Sequence, residues 1–77
     1  MIYYIQKGAL NIMKFIVVYK DTILFTAPNY NSALTWLMTY TRKRDLIFWM
    51  VVRHRGREDF TFCDEEDIYY NFAIIKD

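Results

Sequence analysis

Blocks that are apolar at almost every position alternate along this chain with short polar breaks, and the spacing within each block limits what it can become. Phe15-Ile16-Val17-Val18-Tyr19 is β-branched and aromatic, which predicts a strand with both faces largely apolar. Lys20-Asp21 fits a tight turn, with Asp21 expected in the left-handed backbone such turns demand. Thr22-Ile23-Leu24-Phe25-Thr26 then returns as the second strand of a hairpin. Pro28 ends that strand, because it has no N–H to give a ladder.

Asn29 is placed to cap a helix by accepting from an orphan backbone N–H one turn in. Tyr30, Ala33, Leu37 and Tyr40, joined by Leu34 and Thr41, recur at three- and four-residue spacings, the stripe of an amphipathic helix running to about Arg42. Trp36 falls at the margin of that stripe. Arg42-Lys43-Arg44 puts positive charge where the helix macrodipole is negative.

Leu46-Ile47-Phe48-Trp49-Met50-Val51-Val52 is the most continuous apolar run, and predicts an interior strand or one whose second face is covered. Arg53-His54-Arg55-Gly56-Arg57 reads as the following loop, with Gly56 supplying a positive φ, and Phe60-Thr61-Phe62 alternates as the returning strand. The last segment supports two readings. Asp64 can cap a short helix from about Glu65 with Ile68 and Phe72 facing inward, extended after Asn71. Alternatively, Ile68, Tyr70, Phe72 and Ile74 alternate as a strand would. The helix is preferred here. The expected architecture is therefore α+β: a small antiparallel sheet in the order β-β-α-β-β, then a short C-terminal helix, packed on one amphipathic helix. The whole chain, 1–77, reads as a single domain with an ordered core over 13–72. Residues 1–12 read either as an edge strand or as an extension before Met13.

Composition changes this picture in one respect. The 77 residues are 55% hydrophobic and 19% aromatic, more than an interior of this size can hide. Exposed aromatic surface marks association sites, and a sheet with two apolar faces but one helix wants a second cover. Self-association as a homodimer, by stacked sheets or paired edges, is expected. The plainer alternative keeps tyrosines at the rim with their hydroxyls in water. Cys63 is the only cysteine, which fits a reducing compartment and excludes an internal disulfide. No apolar run approaches the roughly 20 residues of a membrane-spanning helix, and the start lacks the order of a signal peptide. A cytoplasmic location without membrane attachment is expected, in the host cell cytoplasm if the protein is phage-encoded.

Motifs for chemistry are scarce. His54 and Cys63 bracket the second hairpin and could face each other across it, but no third group is evident to orient such a pair. With Gly8 and Gly56 the only glycines, no phosphate-cradling loop can form, and one Cys with one His cannot make a usual zinc site. No cofactor or metal is expected, and an enzyme is the least favoured class. The four consecutive acids Asp64-Glu65-Glu66-Asp67 lack calcium-loop spacing and are better suited to capping, or to mimicking a row of phosphates.

Net charge is +1, yet six of the ten basic residues lie between Arg42 and Arg57. Arg42, Lys43 and Arg44 are separated from Arg53, Arg55 and Arg57 by a strand of about 20 Å, so the two groups are expected at opposite ends of the sheet. Together they are the candidate nucleic-acid contacts, although charges at turns and helix ends also serve solubility. Candidate protein-partner contacts are Trp49, Tyr69, Tyr70, the Arg53, Arg55, Arg57 loop and the acids Asp64, Glu65, Glu66 and Asp67. Tyr, Trp, Met and Arg are the types enriched at interface centres. In its length, its Tyr- and Ile-rich composition and the hairpin–helix–hairpin layout of Lys14 to Phe62, the chain resembles the small accessory proteins of phages and mobile elements, anti-CRISPR inhibitors among them. The resemblance implies a non-catalytic regulator or inhibitor that occupies a host protein surface. A nucleic-acid-binding accessory protein using residues 53–57 is the alternative.

Overall fold

The structure, a computed structural model, describes residues 14–77, so the alternatives for residues 1–12 fall outside the described part. The elements are β1 (Phe15–Tyr19), β2 (Thr22–Ala27), α1 (Tyr30–Lys43), β3 (Ile47–His54), β4 (Arg57–Cys63) and β5 (Tyr69–Lys76). They build one antiparallel five-stranded sheet in the order β2-β1-β5-β4-β3, with α1 on one face.

The local signals act as their chemistry requires. The Asn29 side chain accepts from the Ser32 N–H at 2.8 Å, and Ala27 is the last residue of β2 before Pro28. In the first hairpin turn Lys20, not Asp21, takes the left-handed backbone, with φ 54°. Gly56 has φ 72° in the second turn, where a side chain would carry backbone strain. Only Arg55 and Gly56 form that turn. Arg53 and His54 belong to β3 and Arg57 to β4, so the basic loop expected over 53–57 is mostly strand.

The helix expected after Asp64 does not form. Asp64 closes a tight loop instead: its Oδ1 accepts from the N–H groups of Glu66 at 2.9 Å and Ile68 at 3.0 Å, and Asp67 has φ 61°. The chain then enters β5, the central strand, and order extends past Phe72 to Lys76. The decisive gain is pairing on both sides. Phe72 lies opposite Tyr19 of β1 and Phe60 of β4, and Ile74 opposite Val17 and Glu58. A short helix would leave the two hairpins without the strand that joins them.

Paired residues share a face, which puts Val17, Phe60, Phe62, Phe72 and Ile74 under the helix, where they pack with Ala27, Ala33 and Leu37. Fully burying a side chain such as Leu37 or Phe62 contributes about 1.5–3 kcal/mol. Thr41, also buried, satisfies its hydroxyl by donating to the Leu37 carbonyl at 2.9 Å. Trp36 lies between the rings of Phe25 and Tyr40, with centroids 4.9 and 4.7 Å away, and extends this layer toward β2.

The most apolar run in the chain is not an interior strand. Among the described residues β3 is an edge, paired only with β4, and every residue of it except Val51 is exposed. The covered second face expected for it is absent among the described residues.

Candidate functional site

Trp49 is an extra residue in β3. The β3–β4 register runs Ile47 to Cys63 and Phe48 to Phe62, then resumes with Met50 opposite Thr61, so Trp49 has no partner of its own. Such a bulge turns successive side chains toward one side. The Trp49 ring meets Tyr69 edge-to-face at a centroid distance of 5.6 Å. Tyr69 lies opposite Cys63, which lies opposite Ile47, so these residues occupy the face away from the helix. Met50 and Val52 belong to the same face through Thr61–Asn71 and Asp59–Ala73.

Ile47, Trp49, Met50, Val52 and Tyr69 are all exposed, Trp49 at 57% and Ile47 at 66%. Ile68, next to Tyr69, is exposed as well. These side chains share one exposed face, and an exposed apolar cluster on a monomer marks a contact site. It borders a strand whose outer backbone groups have no strand partner among the described residues. Trp49 and Tyr69, singled out from sequence, are brought together here. Tyr70 is not: it points to the helix side, half-buried, and its hydroxyl donates to Asp64 Oδ2 at 3.1 Å. Ile47, Met50 and Val52 were missed, because a continuous apolar run looks like core. The signal that could have found them is the excess of apolar side chains over interior space.

The arginines at the far end of β3 are largely engaged. Glu58 accepts from Arg53 Nε at 2.6 Å through one oxygen and from the Tyr30 hydroxyl through the other. Asp59 accepts from Arg57 Nη2 at 3.0 Å and lies 3.3 Å from His54 Nε2. Arg55 alone of the three has no ion-pair partner among the described residues. Arg42, Lys43 and Arg44 sit at the opposite end of β3, as expected from the length of the strand.

An open cleft of about 680 Å³ brings Arg42, Arg44 and Asp45 to face Asp64, Glu65 and Glu66. Nothing in their sequence spacing announced this juxtaposition, which comes from the β4–β5 turn folding back beside the helix end. Glu65, Glu66 and Asp67 are exposed. Asp64 is held below the usual carboxylate range, chiefly by the hydrogen bond from the Ile68 N–H, with further help from Glu66 and Tyr70. Tyr30, in contrast, is pushed up to about 12 by burial and then by the adjacent Glu58 carboxylate.

His54 and Cys63 do not meet. His54 lies opposite Arg57 and Cys63 opposite Ile47, at opposite ends of the hairpin. Among the described residues no helix is long and apolar enough to cross a membrane. No protein-family model matches the chain, and no curated protein or solved structure matches it either.

Proposed function

We propose that the protein is a non-catalytic binding protein that docks on another protein through the open face and edge of β3. The observation that carries this reading is the exposed row Ile47, Trp49, Met50 and Tyr69 beside strand backbone that is unpaired among the described residues. Such an edge can add a partner strand by main-chain hydrogen bonds while alternate side chains provide selectivity. Large aromatic residues at the centre of a contact supply most of the binding energy. The biological role that suits a short chain of this kind is a phage-type regulator or inhibitor that covers a host protein surface in the cytoplasm. Self-association into a homodimer draws on the same row of residues, and a second copy then occupies the surface until the host partner displaces it.

A nucleic-acid role through residues 53–57 has less support, since Arg53 and Arg57 are each already ion-paired, with Glu58 and Asp59 respectively. The test is affinity capture from host lysate with three baits, the natural chain, Trp49→Ser/Met50→Lys and Arg53→Gln/Arg55→Gln/Arg57→Gln, each with and without nuclease. A protein partner lost only with the first variant and indifferent to nuclease supports docking through β3. A nucleic-acid partner lost with the arginine variant refutes it.

A further inference from the structure

A second feature lies on the helix side of the sheet, away from the β3 row. Where α1 ends, Tyr40 in its last turn faces the ends of β1 and β5, and a cavity of about 280 Å³ opens there. Its walls are the rings of Tyr19, Tyr40, Tyr70 and Phe72. Tyr19 and Phe72 have centroids 4.8 Å apart, Tyr19 and Tyr70 6.5 Å, and Tyr40 meets Phe72 edge-to-face at 6.0 Å. The volume suits one side-chain-sized group and falls just below the range of drug-sized sites.

Apart from Arg44, which also lines it, the groups around this cavity favour a cation. Aromatic faces are negative at the centre and attract cations. The C-terminal end of α1 carries the negative pole of the helix. Asp64 lines the cavity too, and its carboxylate takes hydrogen bonds from two backbone N–H groups and from Tyr70 but no ion pair among the described residues. The chain's own cations already sample these rings. Arg44 Cζ lies 3.6 Å from the Tyr40 centroid, and Lys20 Nζ 5.4 Å from that of Tyr19. Arg44 is exposed and tied back by one hydrogen bond, from Nη1 to the Tyr40 carbonyl at 3.1 Å. It is a resident occupant that an incoming cation can displace.

We propose that this cavity is a binding site for a soft organic cation, a guanidinium or methylated ammonium head group, which replaces Arg44 on the Tyr40 ring and is neutralised by Asp64. The guanidinium on Tyr40 shows the mode of recognition, and Asp64 supplies the charge that a purely apolar pocket lacks.

The test is a titration of the whole chain with tetramethylammonium chloride, followed by NMR of the tyrosine and Phe72 rings. Tert-butanol serves as the neutral probe of the same shape and sodium chloride as the ionic-strength control. Saturable shifts at Tyr40 and Tyr70 with tetramethylammonium alone are expected. Arg44→Ala, which removes the competitor, should tighten binding by roughly two- to thirty-fold, the range of one cation–π contact. Asp64→Asn keeps the oxygen that the Glu66 and Ile68 N–H groups need and should weaken binding. If that variant does not fold, Tyr40→Leu carries the test by filling the same space without a ring, and should lose tetramethylammonium binding. Equal response to tert-butanol, no saturation, unchanged or weaker binding by Arg44→Ala, or full binding by Tyr40→Leu each overturn the proposal.

Discussion

The Tyr30 hydroxyl at the start of α1 donates to the Glu58 carboxylate on β4, joining the helix to the far hairpin. Because Arg53 takes the other oxygen of Glu58, the three side chains make one charged network across the half-buried end of the sheet. A hydrogen bond to a charged group contributes about 1.5–3 kcal/mol, and partial exposure lowers that. Tyr30→Phe should therefore cost about 1–2 kcal/mol in urea unfolding. A variant as stable as the natural chain would mean water replaces the phenol at no cost.

The same contact sets an alkaline limit. Tyr30 is pushed up to about 12, so the folded protein keeps a proton that the unfolded chain releases near 10.0. Its contribution is complete below that lower value and is lost as pH rises through the upper one. Unfolding curves between pH 9 and pH 11 should show stability falling in the natural chain and falling less in Tyr30→Phe.

Asp64 sets the acid limit with the opposite sign. Its carboxyl is held below its ordinary 3.8 by the N–H of Ile68, so the stability it provides is present above that value and disappears as pH drops through the lower folded one. Asp64→Ala should lose the β4–β5 turn's anchor at neutral pH, with a flatter acid limb in a pH titration of thermal unfolding.

Met50→Lys separates association from stability. Met50 is 45% exposed on an edge strand, so the substitution should change folding stability by less than about 0.5 kcal/mol. A lysine at an edge opposes pairing with another chain. Sedimentation should show the natural chain associating at high concentration and the variant remaining monomeric. Equal behaviour of the two would remove β3 as the self-association surface.

Leu37→Ala tests the core under the helix. Leu37 is fully buried between α1 and the sheet, and such truncations cost about 2–5 kcal/mol. A chain this small has about 3–5 kcal/mol in total, so far-ultraviolet circular dichroism should show a largely unfolded variant at room temperature.

Much of the local structure was legible in the residues. The Phe15–Tyr19 strand, the Asn29 cap and the Ala33, Leu37, Thr41 stripe occupy the roles their spacing implies. The last segment was misread because its two signals conflicted. The four acids from Asp64 to Asp67 imitate a helix start, while Tyr70, Phe72 and Ile74 alternate. The alternation prevails because β5 gains backbone partners on both sides, a long-range gain that no helix at this place could match. The candidate site was half legible: Trp49 and Tyr69 were singled out as residue types, but not their contact or the exposure of their neighbours.

From the chain alone came the two hairpins, the helix with its cap and apolar stripe, and the surplus of apolar side chains, since each follows from residues a few positions apart. Only the tertiary structure decided that β5 lies between the hairpins, and that the greasiest strand is therefore an edge. Strand order depends on backbone pairing between segments far apart in sequence, and a run of apolar side chains reads the same whether a neighbour covers it or not.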